Sequence, residues 1–79
     1  VRVLVRLHAL AAEAAGAPEA VVEVAEGASC ADVKRALAAD HPALAGLLRS
    51  AALATDAEYL RDSAPAADPL HLVPPVSGG

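Results

Sequence analysis

An α+β fold, with helices set against one mixed sheet, is what this sequence predicts, and three observations carry the prediction. Apolar residues alternate with period two at the start of the chain and again after residue 18; a capped stretch of helical period fills the middle; a short apolar run leads into Pro74-Pro75. Seventy-nine residues make one small domain, 1–79, at the size where a single core is only marginally sufficient. Such a chain has no room for a deep cleft with its own catalytic machinery. An active site shared with a partner is the expectation.

The first element is a strand, Val1 to His8, in which Val1, Val3, Val5 and Leu7 share one face and Arg2, Leu4, Arg6 and His8 the other. The arginines are read as solvated and His8 as structural. Ala9 to Ala15 is alanine-rich and helical, stopped by Gly16 and Ala17-Pro18. Glu19 to Val24 alternates again, with Ala20, Val22 and Val24 inward, and pairs antiparallel with the first strand in the simplest topology. Glu26-Gly27 turns the chain. Ser29 and Asp32 then form a variant of the capping box that starts the main helix.

Val33, Ala36 and Leu37 make the buried stripe of that helix, with Asp32, Lys34 and Arg35 mostly outside it. Asp40 marks where the stripe runs out, and His41 before Pro42 ends the helix. Leu44, Leu47 and Leu48 add one apolar turn. Ala51 to Thr55 and Glu58 to Leu60 read as short strands about an Asp56-Ala57 turn, though alanines carry little periodic signal. Arg61 to Asp68 is a loop. Pro69 opens the last strand, Leu70 to Val73, with Leu70 and Leu72 inward.

Composition narrows the function. The core has to be aliphatic, because the chain has no Phe, Trp or Met and one aromatic residue, Tyr59. A net charge of −4 with six basic residues (Arg2, Arg6, Lys34, Arg35, Arg49 and Arg61) argues against nucleic acid and against anionic membranes. A basic protein partner fits better. No apolar run approaches the roughly 20 residues that span a bilayer, and no signal-peptide pattern opens the sequence, so a cytoplasmic location is expected. The one cysteine, Cys30, excludes an internal disulfide framework and a zinc cluster of usual spacing, and no metal is implied. At the first helical position its thiol could be activated by unpaired amides. Without a His or second Cys to assist it, a small buried apolar role is favoured.

The tail, residues 74–79, is the stretch with chemistry. Glycines at 78 and 79 leave the Gly79 acyl carbon open to approach from any side. A terminal Gly-Gly arises by chance in about one chain in two hundred, so the pair is weak evidence alone. Pro74-Pro75 after an apolar run adds to it, since both rings fix φ and favour an extended segment leaving the body in a defined direction.

Three blocks carry a resemblance to a known family. They are Arg6-Leu7-His8-Ala9 with Ala12-Glu13-Ala14-Ala15-Gly16; Glu58-Tyr59-Leu60-Arg61-Asp62; and Leu72-Val73-Pro74-Pro75-Val76-Ser77-Gly78-Gly79. Over nearly its whole length the chain resembles a β-grasp, ubiquitin-like sulfur carrier, most closely the MoaD family, the small subunit of molybdopterin synthase. Pro-Pro-Val-Ser/Thr-Gly-Gly is typical of that branch rather than of the thiamine-pathway ThiS branch. His8 stands where an aromatic is common, Ala12 where an arginine is common, and Ala67-Asp68-Pro69 where a Gly-Asp turn is usual.

The resemblance implies a non-catalytic sulfur-donor subunit of a heteromeric sulfurtransferase. An E1-like (MoeB-like) adenylating enzyme would use ATP to convert the Gly79 carboxylate to an acyl-adenylate. A sulfur donor, such as a cysteine desulfurase or rhodanese, would then leave a thiocarboxylate. Nothing is bound as a cofactor by the carrier itself. The loaded tail would enter the large (MoaE-like) synthase subunit and pass sulfur to the cyclic pyranopterin precursor of the molybdenum cofactor. Gly79 carries the sulfur, Gly78 provides clearance, and Val73, Pro74, Pro75, Val76 and Ser77 form the partner-binding tail. From Val76 to Gly79 the reach is at most about 14 Å, so the sheet near Val73 has to dock close by; Leu4 and Val73 are the expected apolar part of that interface. Three alternatives stay open: a carrier for thiamine, cysteine or transfer-RNA thiolation; a ubiquitin-like protein modifier, for whose chains Lys34 would be the one side-chain linkage; and an interaction module without tail chemistry.

Overall fold

The structure is a computed structural model and describes residues 1–74. Five strands form one sheet: β1 (Arg2–Leu7), β2 (Glu19–Glu23), β3 (Ala52–Ala54), β4 (Tyr59–Leu60) and β5 (Leu70–Val73). Their order is β2-β1-β5-β3-β4. β1 runs parallel to β5 and antiparallel to β2, while β3 lies antiparallel to both β5 and β4. The first and last strands therefore share the middle of the sheet. A parallel pair needs a long crossover between its strands, and here the crossover includes the principal helix.

The period-two alternation of β1 puts Val3, Val5 and Leu7 in the core and leaves Arg2 and Arg6 exposed. Helix α1 (Leu10–Ala15) follows after Ala9, which adopts φ 50° and ψ −122° and so breaks the strand before the helix begins. The helix closes as expected on Gly16 in the left-handed conformation at φ 73°. The Ala17 amide donates to the Ala12 carbonyl and the Gly16 amide to Glu13, a Schellman pattern. Only Ala11 of this helix is fully buried, and Leu10 stays exposed.

Helix α2 (Cys30–Asp40) starts at the anticipated cap. The Ser29 hydroxyl accepts from the Asp32 amide at 3.3 Å, and the Asp32 carboxylate accepts from the Ser29 amide at 3.0 Å. That amide first, and then the Arg35 side chain, hold the Asp32 carboxyl below its ordinary value of 3.8. Val33 and Leu37 are fully buried, Ala36 is half-buried and Asp40 is exposed, so the stripe ends where the sequence places its end. Past His41 the chain makes a 3-10 turn, Pro42–Leu44, and a one-turn helix α3 (Ala45–Leu48), which bring Leu44 and Leu48 into the core. Leu53, Leu70 and Leu72 complete an entirely aliphatic interior with Cys30.

Lys34 stays outside the buried stripe, as its spacing predicts. Its side chain is nonetheless only 15% exposed, because its ammonium is drawn to the Ala51 carbonyl and the Asp62 carboxylate, each at 2.8 Å. The aliphatic stem is covered by the same arrangement. Boundaries also tighten: Val1 and His8 fall outside β1, Ala9 outside α1, Ala51 and Thr55 outside β3, and Glu58 outside β4. Loop 61–68 is less irregular than read, since Pro65 bridges to Ser29 and the Ala66 amide donates to Ala28. Among the described residues no helix is long and apolar enough to cross a membrane.

Candidate functional site

β5 is the element that leads into the tail, and its burial alternates by the same physics as β1. Leu70 and Leu72 face the core, while His71 and Val73 stand half-buried on the opposite face. Val73 pairs with Ala52, and Pro74 follows half-buried at the open end of the sheet. Pro74 has no amide to extend a ladder, which suits a chain leaving the sheet there. Of the expected tail residues, Val73 and Pro74 are thus placed, and Pro75, Val76, Ser77, Gly78 and Gly79 lie outside the described residues. Leu4 is half-buried on the same outer face, on the adjacent strand β1, but the register sets it beside Pro69, so the structure does not bring Leu4 and Val73 together as one apolar patch.

Beside Val73 that face carries an open hollow of about 450 Å³, walled by the β3–β4 turn. Three side chains form a hydrogen-bonded line along it. His71 Nε2 lies 2.8 Å from Asp56 Oδ1, and His71 Nδ1 lies 2.9 Å from His8 Nε2. The carboxylate accepts only, so His71 donates to it from Nε2, and His71 Nδ1 shares a second hydrogen bond with His8 Nε2 whose direction follows the tautomers of the two rings. The two rings are nearly parallel, 24° apart with centroids at 5.1 Å. Tyr59 and Glu58 stand exposed at the rim, and the Thr55 hydroxyl accepts from the Ala57 and Glu58 amides to hold the turn.

This line has no nucleophile at its end. Both nitrogens of His71 are engaged and Thr55 is committed to its turn, and the hollow has a polar wall and an apolar floor at Val73 and Ala54. Cys30 offers no second chemistry. It is fully buried with Sγ 3.9 Å from the Pro65 carbonyl, and burial, with the Asp62 charge adding, pushes its thiol above the ordinary 9.0. Desolvation outweighs the opposing pull of the Lys34 charge, and the Cys30 and Ala31 amides are already engaged by the Ala64 and Asp62 carbonyls. The reading of His8 as an outward structural residue gains a partner that sequence reasoning missed, His71, which is bonded in turn to Asp56. A signal was present: His8 and His71 fall on outward phases of their strands, and only the unknown strand order hid that they meet.

A mixed sheet of order 2-1-5-3-4, crossed by one principal helix and emptying its last strand into a Pro-Pro-Val-Ser-Gly-Gly segment, is that of a ubiquitin-like β-grasp protein. Solved structures agree. SAMP1 from Haloferax volcanii superposes with a TM-score of 0.82 at 30% identity, over 100% of both chains. A putative molybdopterin converting factor, subunit 1, from Pyrococcus furiosus gives 0.80 at 22% identity, over 96% of this chain and 99% of that one, and supports the fold alone. The chain belongs to the ThiS family, the MoaD/ThiS type of sulfur carrier, whose family model matches residues 5–79. It is also 34% identical, over 85% of its length and 86% of the relative's, to a molybdopterin synthase sulfur carrier subunit of Chlamydomonas reinhardtii.

Proposed function

We propose that the chain carries sulfur as a thiocarboxylate on Gly79 and delivers it for molybdopterin synthesis. A carboxylate is a poor electrophile until one oxygen belongs to a good leaving group. An adenylating enzyme supplies that group: the Gly79 carboxylate attacks the α-phosphorus of ATP, pyrophosphate departs, and an acyl-adenylate remains. The outer sulfur of a persulfide donor, such as a cysteine desulfurase or rhodanese, then displaces AMP to give an acyl disulfide. A second thiol cleaves its S–S bond, releasing the thiocarboxylate and leaving a disulfide between that thiol and the donor. The tail enters the large synthase subunit, and the thiocarboxylate sulfur attacks the cyclic pyranopterin precursor. Gly78 and Gly79 give the acyl carbon clearance, and Val73 to Ser77 set reach and direction.

The observation that carries this reading is the likeness to the algal relative named as a molybdopterin synthase sulfur carrier subunit, over 85% of the chain. The geometry supports it, because β5 brings Val73 and Pro74 to the open end of the sheet beside a hollow able to receive a partner. A second reading, conjugation of Gly79 to protein amines, is favoured by the 30% identity to SAMP1 and by a second match, 27% identical with a TM-score of 0.80, to H. volcanii small archaeal modifier protein 1.

The test is intact mass after incubation with ATP, an adenylating enzyme, a persulfide donor and a thiol reductant. One oxygen-to-sulfur exchange at Gly79 is expected, and its loss on adding the pyranopterin precursor and large subunit places the acceptor. Removing Gly79 should abolish the exchange while leaving the thermal unfolding midpoint unchanged. Exchange without loss to the pterin would move the chain to another thiolation pathway; exchange by the truncated chain would sink the mechanism.

A further inference from the structure

Lys34 is the one lysine of the chain, and the fold places it at the worst position for a protein with an activated C-terminus. Val73 pairs with Ala52, so Ala51 stands beside Pro74 in the register, and the Lys34 ammonium is hydrogen-bonded to the Ala51 carbonyl at 2.8 Å. The amine therefore sits at the end of the sheet from which the tail departs. Residues 75–79 can span up to about 17 Å, more than enough to fold back over neighbouring strands about 5 Å apart. A group tethered so closely meets its target at an effective concentration on the order of millimolar. An unprotonated Lys34 Nζ attacking the Gly79 acyl-adenylate would form an amide bond, break the bond to AMP, and release AMP and a proton. The carrier would be sealed into a ring.

We infer that the Ala51 carbonyl and the Asp62 carboxylate form a clamp that disarms this amine, so that the chain acts as an acyl and sulfur donor and not as an acceptor. This inference rests on the reading of Gly79 as an activated acyl group. One ammonium proton goes to Ala51 and another to the Asp62 carboxylate 2.8 Å away. With two of its three protons committed, the amine can attack only along the direction of the third, after that proton is lost, and turning away from that direction toward the tail breaks a contact. Burial of the side chain to 15% exposure narrows the approach further. Each contact alone could serve to fasten α2 to the sheet; their placement at the tail exit is what gives them a second consequence. The same clamp removes the one side-chain linkage through which copies of this chain could be joined to each other.

Two measurements decide it. In the first, the full chain is treated with the N-hydroxysuccinimide ester of acetic acid, folded and in concentrated urea, with N-acetyl-lysine amide as internal standard. Modification of Lys34 should be slower in the folded chain by about tenfold or more, the factor for breaking a charge-assisted hydrogen bond. Equal rates overturn the inference, whatever the chain carries. In the second, wild type and Asp62→Ala, the latter confirmed folded by circular dichroism, are incubated with ATP and an adenylating enzyme but no sulfur donor. The variant should accumulate a species lighter by one water that disappears when Lys34→Arg is added, and wild type should not. Ring closure in wild type as fast as in the variant also overturns it. If neither protein releases pyrophosphate, the carrier reading fails, and the acetylation rates still decide the clamp.

Discussion

Cys30, Ser29 and Asp32 occupy three positions within one helical turn, and each is governed by a different force. Burial raises the Cys30 thiol above 9.0, so iodoacetamide should leave the folded chain unmodified near neutral pH and react on unfolding. Fast native alkylation would mean that the thiol is exposed by local opening. Ser29→Ala removes the cap acceptor and should cost about 1 kcal/mol in chemical denaturation. Asp32 titrates low in the folded chain. Its contribution is therefore present above the unfolded carboxyl value and lost as pH falls through the lower folded one. The stability gap between wild type and Asp32→Ala should close in that acid range; a gap that widened there would reverse the assignment. Ala9, at φ 50°, is the position where a non-glycine backbone is strained. Ala9→Gly should raise the unfolding midpoint by roughly the equivalent of 1 kcal/mol.

At the scale of elements, α2 is the support on which the sheet closes. Leu37 is fully buried near its C-terminal end, and Leu37→Ala should cost about 2–5 kcal/mol. A small domain holds only about 5–15 kcal/mol in total, so the variant should be partly unfolded at 37 °C by circular dichroism. The elements also show what a sequence can reveal. β1, β2 and α2 were legible because valine, leucine and a serine-aspartate cap write their period and start directly into the chain. β3 and β4 were legible only as short strands of loose extent, because Ala51, Ala52 and Ala54 look alike on either face. The partners of Lys34 were not legible because helical spacing sees neighbours three and four residues away, and they lie 17 and 28 residues further on. The His8, His71 and Asp56 line was hidden for the same reason, its members being 63 and 15 residues apart.

For the whole molecule, β5 is the element that makes two halves into one. Without it β2-β1 and β3-β4 are two separate two-stranded pieces, and isolated pairs of strands are at best marginal in water. A chain ending at Pro69 should show no cooperative thermal transition, in contrast to one lacking only Gly79. The fold class was readable from the order of elements, but the parallel join of β1 to β5 was not, since nothing local in either strand says which neighbour it takes. The candidate site was readable at Val73 and Pro74 for the same reason that β5 was, and its hollow was not, because loop, turn and strand contribute to it from distant parts of the chain.

The central position of β5 also has a mechanical meaning. Force applied through the tail reaches this strand first, and β5 is bonded to β1 on one side and β3 on the other. A pull directed along the strand loads both rows of hydrogen bonds together, in shear, instead of opening them one after another like a zip. A partner that grips the tail and lets it go therefore moves the domain as a body, and the strand that holds the tail stays where it is.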